Sequence, residues 1–300
     1  MDRSLRIQLR EIQQKMMTLW FPICLISSIF CSACQSPKTE SSPESSITSI
    51  QIHTEGELIL NRFDPPEGFD RIPADSSSFE HFLRTLPLLP QGSKVHYFDG
   101  TQKEDKDVYA AVIDLPIGNK NLHQCADAVM RLRADFLRSQ HRSEEIHFHF
   151  TNGFDADYQH WMDGYRVQIK GNHCEWKSGA SKGDNTDSYW NYLETVFTYA
   201  GTLSLSKELA PQDWSKMKIG DVLIQGGSPG HVVIIVDMAE NRKTKEKVFM
   251  LAQSYMPAQE LQVLYNPMSP GKSVWYSAQM NNPIETPEWT FEKSQLRKFL

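Results

Sequence analysis

The sequence predicts an α+β fold. Helical patterns come first and a run of antiparallel strands fills the final third, with no internal repeat and no alternating strand–helix rhythm. Its 300 residues, 40% of them hydrophobic, suffice to bury a large core.

The elements follow in order. Residues 76–86 combine a serine cap with helical spacing of Phe79, Phe82 and Leu83. Val95–Phe98 and Val108–Leu115 read as strands, with Gly100 in the turn region between them. A loop over 116–124 feeds a helix that opens near Cys125. Its apolar face is Ala126, Val129, Met130, Leu132 and Phe136, with Arg131, Arg133 and Arg138 mostly outside. Residues 144–151 alternate as a strand. Residues 153–185 are rich in glycine and polar groups and predict a long surface excursion beside any site. A second helix runs from Tyr189 to Thr202. The last third carries strands at 221–225, 231–238, 247–254 and 260–265, with a charged hairpin tip over 239–246.

Charge and hydropathy exclude two classes. A formal charge of -6 and a pI near 5.9 do not suit a nucleic-acid binder, which needs a basic face. The body has no apolar run long enough for repeated membrane crossing.

The N-terminus predicts export. Arg3, Arg6, Arg10 and Lys15 outnumber Asp2 and Glu11, an apolar run follows to Phe30, and small residues precede Cys34. Ser32-Ala33-Cys34 resembles a bacterial lipoprotein processing site, although Cys31 stands where that pattern usually has leucine. The resemblance implies a signal peptide over 1–33, lipid on Cys34 as the membrane partner, and a location in the bacterial cell envelope. Residues 34–52 have too little apolar surface to offset their ordering entropy and predict a flexible tether. The folded body then spans 53–300 as a single α+β domain, with an insertion over about 153–205.

The body retains two cysteines, Cys125 and Cys174, and an oxidising compartment could join them in a disulfide. The competing reading is chemical. Cys125 sits at a helix start, where unpaired amides favour a thiolate and can hold an oxyanion. His231 opens the apolar strand Val232–Val236 after a turn of glycine, serine and proline.

Gln124-Cys125 at a helix start, Gly220-Asp221 opening a strand and Gly230-His231-Val232 opening the next resemble the papain-like amidohydrolases of the NlpC and CHAP type. The resemblance covers residues 107–140 and 215–265. It implies a helix-borne cysteine packed on an antiparallel sheet, with Cys125 as nucleophile and His231 as general base and acid. Gln253 on the following strand would orient the imidazole through Nδ1–H, leaving Nε2 toward the thiol. Gln124 would lie on the oxyanion side. The sequence departs from that pattern in the 106-position separation of Cys125 and His231 and in glutamine as orienter. Gln124–Arg133, Tyr199–Leu205 and Leu251–Gln259 also resemble envelope lipoproteins of Bacteroidetes-type bacteria, a family named only as a domain of unknown function.

Two functions stay open on these grounds. One is a lipid-anchored cysteine amidohydrolase or peptidase without metal or organic cofactor, acting on amide bonds such as those of cell-wall peptides. The other is a noncatalytic lipoprotein that keeps the fold for binding or scaffolding. Lesser candidates are His147 and His149 as metal ligands with His173 or Asp155, Trp161, Tyr165, Trp176 and Trp190 as a sugar-stacking set, and Asp155 with Asp157 as a carboxylate pair.

Overall fold

A strand of eleven residues, His231–Asn241, is the spine of the protein in the computed structural model, which describes residues 51–104, 107–269 and 271–300. In chain order the strands are β1 (Phe69–Arg71), β2 (Tyr109–Val112), β3 (His147–His149), β4 (Asp155–Asp157), β5 (Tyr165–Lys170), β6 (His173–Ser178) and β7 (Ala210–Pro211). Then come β8 (Val222–Gln225), β9 (His231–Asn241), β10 (Lys247–Gln253), β11 (Gln262–Leu264), β12 (Trp275–Ser277), β13 (Ile284–Glu285), β14 (Thr290–Phe291) and β15 (Leu296–Lys298). The helices are α1 (Ile59–Arg62), α2 (Phe79–Arg84), α3 (Cys125–Ser139), α4 (Tyr158–Met162), α5 (Thr186–Tyr199) and α6 (Thr202–Glu208).

The fold is mixed α+β. The main sheet runs β2-β11-β10-β9-β8-β15-β7, with β1 added to β9 and β12 to β10, and its paired strands are antiparallel. Register across the centre sets Leu223 against Val233 and Ile234 against Ala252. The β-branched run Val232–Val236 suits a strand covered on both faces, and all five residues are fully buried. Helices α2 and α3 pack against it.

Helix α3 begins at Cys125 because the Asp127 carboxylate accepts the Gln124 backbone N–H at 2.9 Å, half of a capping box. Its arginines are less free than their spacing suggests. Arg131 lies 4.9 Å from the Trp190 ring and is 11% exposed, and Arg138 lies 4.6 Å from the Tyr189 ring. Their stems and guanidinium planes cover aromatic surface that would otherwise be wet.

Other expectations change. Val95–Phe98 is no strand; His96 and Tyr97 make isolated bridges to Gln102 and Gln259. The 144–151 strand shrinks to β3 after a 3₁₀ turn at Ser143–Glu145. The 153–185 stretch is structured: β4 pairs with β3, Asp157 caps α4 by accepting the His160 N–H at 2.8 Å, and β5 and β6 form a hairpin turned at Gly171. The second helix starts at Thr186, capped by Asn185, and stops at Tyr199. Gly201 then lets the chain restart as α6, its N–H donating to the Ser204 hydroxyl at 3.1 Å. The charged hairpin tip is as expected, with exposed Arg242 paired to Asp70.

The signal peptide over 1–33, Cys34 and all but the last two residues of the 34–52 stretch lie outside the described residues. Of those two, Ile52 bridges to Phe63. Among the described residues no helix is long and apolar enough to cross a membrane.

One buried charge ties the N-terminal segments to the spine. Asp237 is fully buried and accepts from Arg71 Nε at 2.7 Å, Arg84 Nε at 2.6 Å and the Met238 N–H at 2.8 Å. Arg84 is itself buried, so removal of the carboxylate leaves a charge without its counter-ion. Asp237→Ala should lower stability to urea unfolding by about 3–5 kcal/mol. An Arg84→Met/Asp237→Leu pair should recover much of that loss.

Candidate active site

Cys125 and His231 reach the same place from opposite directions. Cys125 is the first residue of α3 and His231 the first of β9, and both line a cleft of about 780 Å³. They are 8% and 1% exposed. The backbone N–H groups of Val232, next to His231, and of Ala126 and Cys125 itself act on the Cys125 thiol so as to favour its ionised form. Gln124, Thr202, Leu203, Tyr255, Met256 and Trp289 complete much of the wall.

The turn before β9 is shaped by glycine. A Cβ on Gly230 would stand 2.4 Å from Thr202 Oγ1 and 2.5 Å from the Gly227 carbonyl, and one on Gly226 would meet Ser206 Oγ at 2.1 Å. The turn therefore lies directly on α6, where Thr202 Oγ1 donates to the Gly227 carbonyl at 3.2 Å.

The imidazole is oriented by a polar chain that ends in a carboxylate. Glu288 can only accept, so Gln253 must offer it Nε2–H, at 2.6 Å. This turns Gln253 Oε1 toward His231, where it accepts Nε2–H at 2.8 Å. Lys103 Nζ donates to the same Glu288 oxygen at 2.7 Å. The tautomer is therefore the reverse of the sequence expectation: Nε2 carries the proton and Nδ1 keeps the lone pair. The reason is Glu288, whose place beside Gln253 no local pattern announces. Tyr255, Trp289 and Phe291 enclose the ring at centroid distances of 4.6, 5.4 and 5.9 Å.

Burial dominates the electrostatics. It pushes the Cys125 thiol up to about 11, with the Asp127 carboxylate adding to the effect and the three amides opposing it. Burial pushes His231 down to about 4 and Asp127 up to about 8. Near neutral pH the pair rests as thiol and neutral imidazole, so the helix start does not by itself yield the thiolate expected there.

The remaining candidates separate. Gln124 borders the cleft, but its amide Nε2 is turned to Asn121, 3.2 Å from Oδ1 and 3.3 Å from the carbonyl. Cys125 and Cys174 are free thiols, and Cys174 is the acceptor of an Asn152 amide at 3.1 Å. Trp161 is buried and serves the core, and Trp176 stacks on His160, so these tryptophans do not form an open sugar-stacking row. Asp157 is spent on the α4 cap, and Asp155 lies 3.2 Å from His147 Nδ1. Sequence reasoning passed over His123, fully buried beside Gln124 with neither ring nitrogen hydrogen-bonded and its edge toward Phe197. Burial pushes it down to about 3. Its neighbours Leu122 and Cys125 carried the only available signal, an apolar local setting.

Alkylation of Cys125 by iodoacetamide should be slow at pH 7 and rise steeply toward about pH 11. Asp127→Asn keeps an oxygen for the Gln124 N–H and removes the nearby negative charge, so the midpoint should move to lower pH. An unchanged midpoint would show that the carboxylate does not act on the thiol.

No curated protein and no solved structure matches the chain. A family model described as a domain of unknown function (4846) matches residues 59–298, and the chain belongs to that family.

Proposed function

We propose that the chain is a lipid-anchored cell-envelope protein with a papain-type core of the NlpC or CHAP kind, and that it hydrolyses or transfers amide bonds, with cell-wall peptides as the substrate class. The observation that carries the reading is the convergence of Cys125 and His231 on one cleft, with the imidazole held by Gln253 and Glu288. The anchor rests on Ser32-Ala33-Cys34 and the basic and apolar segments before it.

The chemistry follows from the resting state. As the sulfur attacks the acyl carbon, its proton passes to His231 Nδ1 and the carbonyl becomes an oxyanion. The Cys125 and Ala126 amides, unpaired within the first helical turn, stabilise that charge, and Gln124 joins them if its amide leaves Asn121. The C–N bond then breaks, and Nδ1–H protonates the departing amine. Water, deprotonated by the same nitrogen, or an acceptor amine releases the acyl group and restores the thiol. Gln253 acts as a positioning residue through Nε2.

One observation favours the second reading, a noncatalytic lipoprotein that uses the cleft for binding. The thiol is pushed up to about 11, which makes it a weak nucleophile unless a ligand draws its proton to His231. An acyl electrophile such as a peptidyl acyloxymethyl ketone separates the two. Labelling of Cys125 that is lost in His231→Ala and falls roughly tenfold in Gln253→Ala supports catalysis. Labelling independent of His231 supports binding.

The acid limb has a definite sign. His231 must be neutral to accept a proton, and burial holds it near 4, so the labelling rate should persist below the ordinary histidine value of 6.5 and fall only through about pH 4. In cells, Cys34→Ser should abolish incorporation of a clickable fatty acid into the chain. Retained incorporation would overturn Cys34 as the site of the anchor.

A further inference from the structure

His147 and His149 lie on one strand two residues apart, and the fold brings a partner to them from 59 positions further on. Glu208, the last residue of α6, meets β3 where that helix packs on it. One ligand atom from each of the three residues lies within 4.8 Å of the other two. We propose that His147, His149 and Glu208 form a binding site for a divalent transition metal of the zinc class, distinct from the thiol cleft and independent of its chemistry.

The carboxylate is already held in place. Glu208 Oε2 accepts the His149 backbone N–H at 2.8 Å and lies 3.1 Å from His149 Nδ1. Two ligands bonded at about 2.05 Å stand roughly 3.3 Å apart around a tetrahedral ion and roughly 2.9 Å apart around an octahedral one. The Glu208–His149 pair thus has the edge length of a coordination polyhedron. His147 closes on the pair by at most about 1.5–1.9 Å, within reach of an exposed side chain. Its Nδ1 lies 3.2 Å from Asp155 Oδ1, so a carboxylate is at hand to take the outer place behind a ligating histidine once the other nitrogen is turned to the ion.

Two imidazoles and one carboxylate suit zinc, nickel or copper rather than calcium or magnesium. Glu208 is 14% exposed, whereas His147 and His149 are 48% and 39% exposed, so the ion would keep a position open to water. The nearest sequence candidates for a third ligand, His173 and Asp155, are respectively on the β5–β6 hairpin and in the outer position behind His147. The site would fasten β3 to the end of α6, whose first turn, Thr202 and Leu203, walls the thiol cleft.

The test is calorimetry with zinc chloride on the full chain in detergent after EDTA treatment. One ion per chain is expected, with affinity lowered roughly tenfold or more in His147→Ala and in Glu208→Gln and unchanged in His173→Ala. No binding, or equal binding in the His147→Ala/Glu208→Gln double variant, overturns the assignment. Cobalt(II) substitution in the unaltered chain keeps the test independent of variant folding. A four- or five-coordinate visible spectrum without a sulfur charge-transfer band supports the site, and a sulfur band assigns the metal to cysteine and refutes it.

Discussion

Burial of β9 from His231 to Ala239 is the constraint on which the rest of the structure depends. A strand covered on both faces must satisfy every backbone amide through its neighbours, and β8 and β10 do so along most of its length. Its aliphatic side chains each contribute on the order of 1.5–3 kcal/mol by leaving water. The two ends have different duties. The far end carries Asp237 and the pairing with β1, which fix the N-terminal segments. The near end leaves the core at His231, where the glycine turn presses on α6. A histidine placed there is carried by a central strand of the sheet and held from the side by Gln253.

The same burial sets the character of the cleft. Low-dielectric surroundings disfavour charge on Cys125 and His231 alike, so the resting site is neutral although a helix start and three amides face the sulfur. Polarity is supplied from behind, through Gln253 to Glu288 and Lys103. That chain bears on Nε2 and leaves Nδ1 to the cleft.

Legibility in the sequence followed the length and periodicity of each element. The helix at Cys125 could be read from its apolar spacing, and the β9–β10 hairpin from two long apolar runs around a charged tip. The excursion could not, because β3 and β4 span three residues each and the six-residue β5 and β6 mix polar with apolar positions between Gly164 and Gly179. Strands β1, β7 and β12 to β15 span two or three residues each, too few to show an alternation. Within the site, Cys125, His231 and Gln253 stood out as residue types at element starts and ends. Glu288 and Glu208 did not. Each meets its partner only through tertiary packing, 35 positions from Gln253 and 59 from His149.

The enclosure of His231 draws on residues far apart in the sequence. Lys103 reaches Glu288 across 185 positions, Glu288 reaches Gln253 across 35, and Trp289 and Phe291 flank the ring. The environment of one imidazole is thus set by separate stretches of chain, so a change that loosens any of them is felt at the cleft even where it touches neither Cys125 nor His231.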